Sequence, residues 1–216
     1  MSGAGTKGAV MRGIARAWGL SAVLVGCVNL AGCVNLGGGK APAMLIHLTP
    51  EASAAPGPSQ SGAVGQTISV NRAILVIEPE TDRSLAVTRV PVQVDDTRLA
   101  YLADVAWVER PARLFRGLLA EALRAKSSGL VLEDDQPAPS GIRRLSGRLL
   151  AMGYDARSRS VVVRYDALMQ NTDGTLATRR FEAVEPNVKP RAAAVAPALN
   201  RAANDVADQV ARWVAG

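Results

Sequence analysis

The amino-acid sequence predicts an α+β (mixed α/β) fold, in which two main helices pack on one face of a β-meander sheet. Three observations support this prediction, and two of them concern periodicity. Apolar residues recur every three to four positions in two long segments, and they alternate with polar residues in others. The third is a continuous apolar run, AILVIEP at 73–79, which is typical of a strand inside a sheet. Strands that accompany two amphipathic helices favour a helix layer on a sheet.

Three consecutive segments predict the meander. They cover 142–154, 160–170 and 176–184, and the NTDG connection at 171–174 carries the Asp-Gly signal of a tight hairpin. The segment 160–170 has one apolar face, formed by Val161, Val163, Tyr165, Ala167 and Met169. Further strands are predicted at 44–48, 73–79, 85–94 and 130–134, while residues 98–108 are less regular. Pro91 implies an edge strand or a bulge.

Two amphipathic helices are predicted at 110–126 and 191–214. Pro111 suits the first turn of the first helix, and Gly129 ends it. Pro197 lies near the start of the second helix and can kink it. The apolar face of the first helix consists of Phe115, Leu118, Leu119, Ala122 and Leu123, with its charged residues largely elsewhere. The stripe of the second consists of Val195, Leu199, Ala202, Val206, Val210 and Trp213.

The first 32 residues have the pattern of a bacterial secretory signal. Their only charged residues are Lys7, Arg12 and Arg16, and the apolar run AWGLSAVLVG follows. This run is shorter than the roughly 20 residues that a membrane span needs. The stretch LAGC at 30–33 resembles the lipobox of bacterial lipoproteins, which predicts cleavage before Cys33 and acylation of its sulfur.

Cys27 is the alternative lipidation site, because LVGC at 24–27 also fits the lipobox. Cys33 is preferred because its motif is the commoner form and because cleavage there leaves no spare thiol in the mature chain. In favour of Cys27, its apolar run starts directly after Arg16 and contains no Asn. Two or more acyl chains, such as palmitate, hold a protein stably on a membrane, so the lipid bilayer is a predicted partner.

These observations divide the chain into three parts. A lipoprotein signal peptide covers 1–32, a tether with one short strand covers 33–66, and a folded domain covers 67–216. The tether is rich in Gly, Pro, Ser and Ala. Val34 stands where an Asp would favour retention in the inner membrane, so the expected location is the periplasmic face of the outer membrane.

The sequence contains no pattern of catalytic or metal-binding residues, so we predict neither an enzyme nor a bound cofactor or metal. The single histidine, His47, is expected to be half-buried in the first short strand. The acidic stretches at 95–96 and 133–135 are expected to form solvated turns. The net charge of +6 falls to +3 without the three basic residues of the leader. Because no basic stripe with interleaved aromatic residues is present, nucleic-acid binding is not predicted.

Three aromatic side chains and a group of arginines are candidates for contact with a partner. Tyr101, Trp107 and Trp213 either pack helix ends against the sheet or form a docking patch, because Trp and Tyr are enriched at interfaces. The arginines of the hairpin region either form a solvated face or contact anionic lipid headgroups or an acidic partner. They are Arg143, Arg144, Arg148, Arg157 and Arg159.

The order of the predicted elements resembles that of the ABC-type transport auxiliary lipoproteins, over about residues 44–214. The most specific stretch is YLADVAWVERPARLFRGLLAEAL at 101–123. In this stretch the family tends to show a Tyr, then a Trp followed by an acidic residue, and then a helix. The corresponding residues here are Tyr101, Trp107, Glu109 and Pro111. The stretch HLTP at 47–50 departs from the family, which often has an aromatic residue before the leucine.

The resemblance implies a role as a partner protein. Such lipoproteins accompany ABC transporters with an MCE-type substrate-binding subunit, which move phospholipids, sterols or other hydrophobic molecules across the envelope. The implied function is a non-catalytic, lipid-anchored periplasmic subunit, with the MCE-domain protein and its ABC permease and ATPase as partners. The alternatives are an outer-membrane assembly or scaffold lipoprotein unconnected with an ABC transporter, and a lipid-anchored enzyme. Formation of a homo-oligomer is also left open.

Overall fold

The computed structural model describes residues 42–51, 72–127 and 129–216, and within these ranges the chain forms nine strands and two helices. In chain order they are β1 (Met44–Ile46), β2 (Ile74–Val76), β3 (Glu80–Thr81), β4 (Arg89–Gln93), β5 (Leu99–Trp107), α1 (Pro111–Lys126), β6 (Val131–Glu133), β7 (Arg143–Asp155), β8 (Ser160–Gln170), β9 (Leu176–Glu185) and α2 (Ala192–Ala215). Both candidate lipidation sites, Cys27 and Cys33, and most of the tether lie outside these ranges.

The predicted α+β class is confirmed, because both helices pack on one face of a mixed sheet. The predicted apolar faces of α1 and α2 are buried except for Trp213, which is half-buried, and Phe115, Leu119 and Val206 are each 0 % exposed. On the sheet, the apolar residues of β8 turn toward the helices, where the ring of Tyr165 meets that of Phe115 edge-on at 5.3 Å. Pro197 lies within the second turn of α2, close to the predicted position for a kink.

Strand β7 is the centre of the sheet. One of its edges pairs antiparallel with β8 over its whole length, and β8 pairs antiparallel with β9, so these three strands form the predicted meander. The other edge of β7 pairs in parallel with three short strands in turn, which are β2, β3 and β4. Further parallel pairs join β2 to β6 and β1 to β5, and β4 pairs antiparallel with β5.

The sheet is therefore mixed, and the meander describes only its C-terminal part. The parallel pairs join strands that are far apart in the chain, which a pattern of local alternation does not reveal. Strand β4 lies between β5 and β7, so Pro91 is not in an edge strand. It occupies instead the predicted bulge, because the register between β4 and β5 shifts between Arg89 and Pro91.

Within the described ranges, no helix covers the second face of the sheet, and we call this surface the open face. Along β8 its residues are Val162, Arg164, Asp166 and Leu168, which alternate with the buried residues of the helix-covered face. None of the helices in the described ranges has the length and apolar character needed to cross a bilayer.

Candidate functional site

The chain enters the folded domain through residues 42–51, which we call the N-terminal strap. Its strand β1 pairs in parallel with the end of β5, and the N–H of Val108 donates to the carbonyl oxygen of Ile46 at 3.0 Å. The short strand predicted at 44–48 is thus confirmed over Met44–Ile46. His47 follows β1 and is exposed, so the expectation of a half-buried strand residue was wrong.

Two asparagines of α2 hold the strap after β1. The backbone N–H of Thr49 donates to Oδ1 of Asn200, and that of Glu51 donates to Oδ1 of Asn204, both at 2.8 Å. Nδ2 of Asn204 donates in turn to the carbonyl oxygens of Thr49 and Asn200, each at 2.9 Å. Asn204 is only 9 % exposed, so its side chain satisfies both ends of its amide inside the fold.

We expect Asn204→Ala to release the strap from α2. The change removes three hydrogen bonds of a buried amide, which should lower the free energy of unfolding by about 1–3 kcal/mol. Hydrogen exchange at the Glu51 amide should accelerate by more than the loss of global stability explains, because this N–H loses its acceptor, Oδ1 of Asn204. Asn200→Ala is the matched control, since this side chain accepts one bond from the strap, and its effect should be smaller. Equal protection of the Glu51 amide in the Asn204 variant and the wild type would contradict the assignment.

Among the residues that the structure describes, the charged residue that is buried is Arg116 on α1, whose side chain is 8 % exposed. Its Nε lies 3.2 Å from Glu133, its Nη2 lies 3.1 Å from Asp135, and its Nη1 contacts Asp134. The Nε–Glu133 contact is an ion pair without hydrogen-bond geometry. We call these four residues the Arg116 clamp.

The Arg116 clamp corrects the prediction that residues 133–135 form a solvated turn. Asp134 also accepts the N–H of Glu78 at 2.8 Å, and Glu133 also pairs with Arg124 at 3.1 Å. Burial by itself lowers the pKa of the Arg116 guanidinium, but the three carboxylates outweigh it and hold this pKa above its ordinary value. The Arg116 guanidinium thus keeps its full positive charge, and the clamp joins α1 to the end of β6.

The described residues offer little for acid–base or metal chemistry. No group of three or more His, Cys, Asp or Glu side chains among them has the geometry of a metal site. Burial raises the pKa of Tyr165, so its phenol stays protonated and donates to the carbonyl oxygen of Ser146 at 2.6 Å. A groove of about 440 Å³ lies beside β4 and β7, and its rim residue Arg157 forms an ion pair with Asp96.

The three candidate docking aromatics lie in different surroundings. Trp107 is 2 % exposed and belongs to the core, which favours the packing alternative for this residue. Tyr101 is half-buried beneath the guanidinium of Arg89, which lies 4.2 Å from the ring centre. Trp213 is half-buried against Phe181, with 5.6 Å between ring centres. Docking through these residues stays a prediction, and Tyr101 and Trp213 retain the surface for it.

The open face carries a ladder of alternating charges rather than a basic patch. Asp166 on β8 accepts two hydrogen bonds from Arg180 on β9, at 2.6 and 2.7 Å, and stands opposite Arg148 on β7. Two residues further along the same face, Arg164 contacts Glu182. The hydrogen bond from Arg180 is the main cause that lowers the pKa of Asp166, so this carboxylate stays charged.

Three of the five arginines predicted to make the hairpin region basic also have partners. Arg148 lies 3.3 Å from Asp82, and Arg157 contacts Asp96. Arg143 donates to the carbonyl oxygen of Val214 at 3.0 Å, at the C-terminal end of α2. The two ion pairs reduce the positive charge that this region presents to an anionic surface.

Sequence reasoning missed both Arg116, which it placed off the apolar face of α1, and Asn204, to which it gave no role on α2. One feature of the sequence did indicate that Arg116 is buried. Ala112 and Ala120 lie four residues before and after it, hence on the same side of the helix, and both are buried. The acidic run 133–135 at the end of the next strand supplies the carboxylates that a buried arginine needs. Nothing in the sequence marks Asn204 apart from its place four residues after Asn200.

Comparison with known proteins identifies both the fold and the family. The chain matches the family described as ABC-type transport auxiliary lipoprotein component over residues 53–211. The crystal structure of protein XCC0632 from Xanthomonas campestris, a DUF330 protein, superposes with a TM-score of 0.63 at 17 % identity, covering 80 % of this chain and 94 % of that one.

A second crystal structure, of an uncharacterized protein, gives a TM-score of 0.59 at 19 % identity and covers 67 % of this chain and 92 % of that one. At these identities the two structures show the shared fold alone. No curated protein sequence matches this chain. Because the family match spans most of the sequence, the chain belongs to the ABC-type transport auxiliary lipoprotein component family.

Proposed function

We propose that this chain is a non-catalytic, lipid-anchored periplasmic subunit of an MCE-type ABC transport system that moves lipids or other hydrophobic molecules across the cell envelope. Membership of the family supports the coarser part of this proposal, an auxiliary component of ABC-type transport. The MCE partner, the hydrophobic cargo and the outer-membrane location rest on the family resemblance and on Val34 after Cys33.

The observation that carries the proposal is the fixed N-terminal strap. Its strand β1 begins at Met44, and the preferred lipidation site Cys33 lies shortly before it in the sequence. A fully extended chain spans about 3.3–3.6 Å per residue, so a lipid on Cys33 would keep the strap within about 40 Å of the bilayer. An anchor with this short reach fits a subunit that works beside a membrane.

The rest of the domain supports a binding role. The Arg116 clamp and the charge ladder of the open face use their charged groups in ion pairs within the chain. Tyr101 and Trp213 leave part of their aromatic surface accessible at two places on the fold. Amphipathic aromatic side chains of this kind are enriched where one protein docks on another.

We expect Cys33→Ala to abolish the anchor. When the full chain is expressed in a bacterial host with a clickable palmitate analogue, the wild type and the matched Cys27→Ala variant should carry the label and partition into the detergent phase. The Cys33→Ala variant should lose the label and move to the aqueous phase. Label that survives Cys33→Ala and disappears in Cys27→Ala would move the anchor to Cys27. An unlabelled wild type would contradict the lipid anchor.

The partner is tested by affinity purification of the intact lipoprotein from membranes of its native host. Mass spectrometry should recover an MCE-domain protein together with an ABC permease and an ATPase, and density-gradient fractionation should place the lipoprotein with the outer membrane. The Cys33→Ala variant is the control for the anchor and should recover less of this set. Recovery of outer-membrane assembly proteins without an MCE-domain protein would support the scaffold alternative and contradict our proposal.

A further inference from the structure

Strand β9 forms one edge of the sheet, and its backbone shows which of its residues face outward. The N–H of Asn171 donates to the carbonyl oxygen of Thr175 at 2.9 Å, which closes the hairpin between β8 and β9. Residues two apart in a strand have the same backbone orientation, so the odd-numbered residues of β9 bond to β8. In agreement, Nε2 of Gln209 reaches the outward carbonyl oxygen of Glu182 at 3.4 Å.

The even-numbered residues therefore present their N–H and C=O groups along the free edge, and their side chains lie on the open face. They are Leu176, Thr178, Arg180, Glu182 and Val184. Two are apolar and well exposed, Leu176 at 63 % and Val184 at 49 %. Among the residues that the structure describes, the Glu182 carbonyl oxygen is the one outward group that a side chain reaches, and an edge of this length is a template for another strand.

We propose that β9 pairs antiparallel with β9 of a second copy of this chain, with the two-fold axis at Phe181. In this register Arg180 of one copy stands directly opposite Glu182 of the other, twice in each dimer. Thr178 likewise stands opposite Val184. These even-numbered positions are the ones whose backbone groups point toward the partner, so each facing pair exchanges two hydrogen bonds. In the pair of Arg180 with Glu182, the N–H of Arg180 from the second copy replaces Nε2 of Gln209 on the Glu182 carbonyl oxygen.

The charges select this register over its neighbours. A shift that centres the axis on Arg180 sets two arginines opposite each other, and a shift that centres it on Glu182 sets two carboxylates opposite each other. Like charges directly opposite in a sheet are destabilising, and opposite charges are stabilising. Only the register centred on Phe181 continues the ladder of the open face, which then alternates from Arg148 through Asp166 and Arg180 to Glu182 of the second copy.

The helix-covered face accommodates the pairing. At the axis, each Phe181 ring stays within its own copy, where it is 3 % exposed beside the tilted ring of Trp213 and the guanidinium of Arg179. Helix α2 packs over β8 and β9 alike. Neighbouring strands are about 4.8 Å apart. A helix centred between β8 and β9 in each copy therefore lies about 10 Å from its counterpart, which is an ordinary distance between packed helices.

A proline at Thr178 tests the edge without touching the bonds to β8. The N–H of Thr178 points outward, so Thr178→Pro removes only hydrogen bonds to the second copy. Sedimentation of the full chain in detergent should show a dimer for the wild type, and the proline should raise the dissociation constant at least about tenfold. Thr178→Ala keeps the N–H and is the matched control, with a dissociation constant within about twofold of the wild type.

Hydrogen exchange of the wild type keeps the test decisive if the proline variant does not fold. The amides of Thr178, Arg180 and Glu182 should be protected at high protein concentration and should exchange faster on dilution. A photo-crosslinking residue at position 178 should attach to the region of Val184 in the other copy. A wild type that is monomeric at every concentration, an oligomer unaffected by Thr178→Pro, or a crosslink to another segment would overturn the proposal.

Discussion

Replacing Gly147 with alanine should lower the free energy of unfolding by about 3–5 kcal/mol, one of the two largest losses that we expect from a single substitution. Gly147 lies in β7 with φ at +147°, a conformation that side-chain-bearing residues rarely adopt. A Cβ there would lie 2.0 Å from the carbonyl oxygen of Asp166 and 3.0 Å from the ring of Tyr165. Because the nearest atom is backbone, β7 and β8 would have to separate.

Urea denaturation followed by circular dichroism measures this loss. Gly117→Ala is the matched control, because a Cβ at this position of α1 meets nothing within 4 Å. Alanine is a better helix former than glycine, so this control should raise the unfolding free energy by about 0.5–1 kcal/mol. If both variants change stability by the same small amount, the close approach of the strands at Gly147 is not a real constraint.

Replacing Arg116 with alanine should lower the free energy of unfolding by about 2–4 kcal/mol at neutral pH. Removing one member of a buried ion pair costs several kcal/mol, since the remaining charge has no counterion. Here Glu133, Asp134 and Asp135 would face one another without the guanidinium. The expected value lies toward the lower part of the general range because these carboxylates are 19 %, 29 % and 54 % exposed.

Arg113→Ala is the matched control for the Arg116 clamp. Arg113 lies on the same helix and pairs with Glu109 at 3.3 Å, but both side chains are about half exposed. Surface ion pairs contribute about 0–1 kcal/mol, so the control should change stability by no more than that. Comparable losses for both variants in urea denaturation would show that the buried position of Arg116 adds nothing.

The sequence predicted the secondary structure well where its periodicity was undisturbed. The helix expected at 110–126 is Pro111–Lys126, and the strand expected at 160–170 is Ser160–Gln170. Residues 98–108 were less regular because β5 contains Asp104 with φ at +58°, and the register shift between β4 and β5 occurs beside it. Extra residues at a bulge break the alternation on which strand prediction depends.

The sequence predicted the candidate sites less completely. The Arg116 clamp and the contacts of Asn204 join segments that are separated in the chain, and an amphipathic pattern assigns a polar residue to solvent without naming its partner. Trp107 could be an interface residue or a core residue from its type alone, and only its burial favours the core. Lipidation of Cys33 stays a prediction from the lipobox.

The position of β7 in the sheet has a consequence for how the chain folds. On the side away from β8, β7 pairs with β2, β3 and β4, all of which precede it in the chain. The first of them, β2, ends at Val76, whereas β7 begins only at Arg143. Strand β4 can pair with β5 and β2 with β6 before β7 exists, but none of the three can join the central strand until the later half of the polypeptide has formed. Contacts between sequence-distant segments form slowly because of the entropy lost in closing long loops. We expect the β7–β9 antiparallel triplet to be the nucleus, and pulse-labelling during refolding should find its amides protected before those of β2.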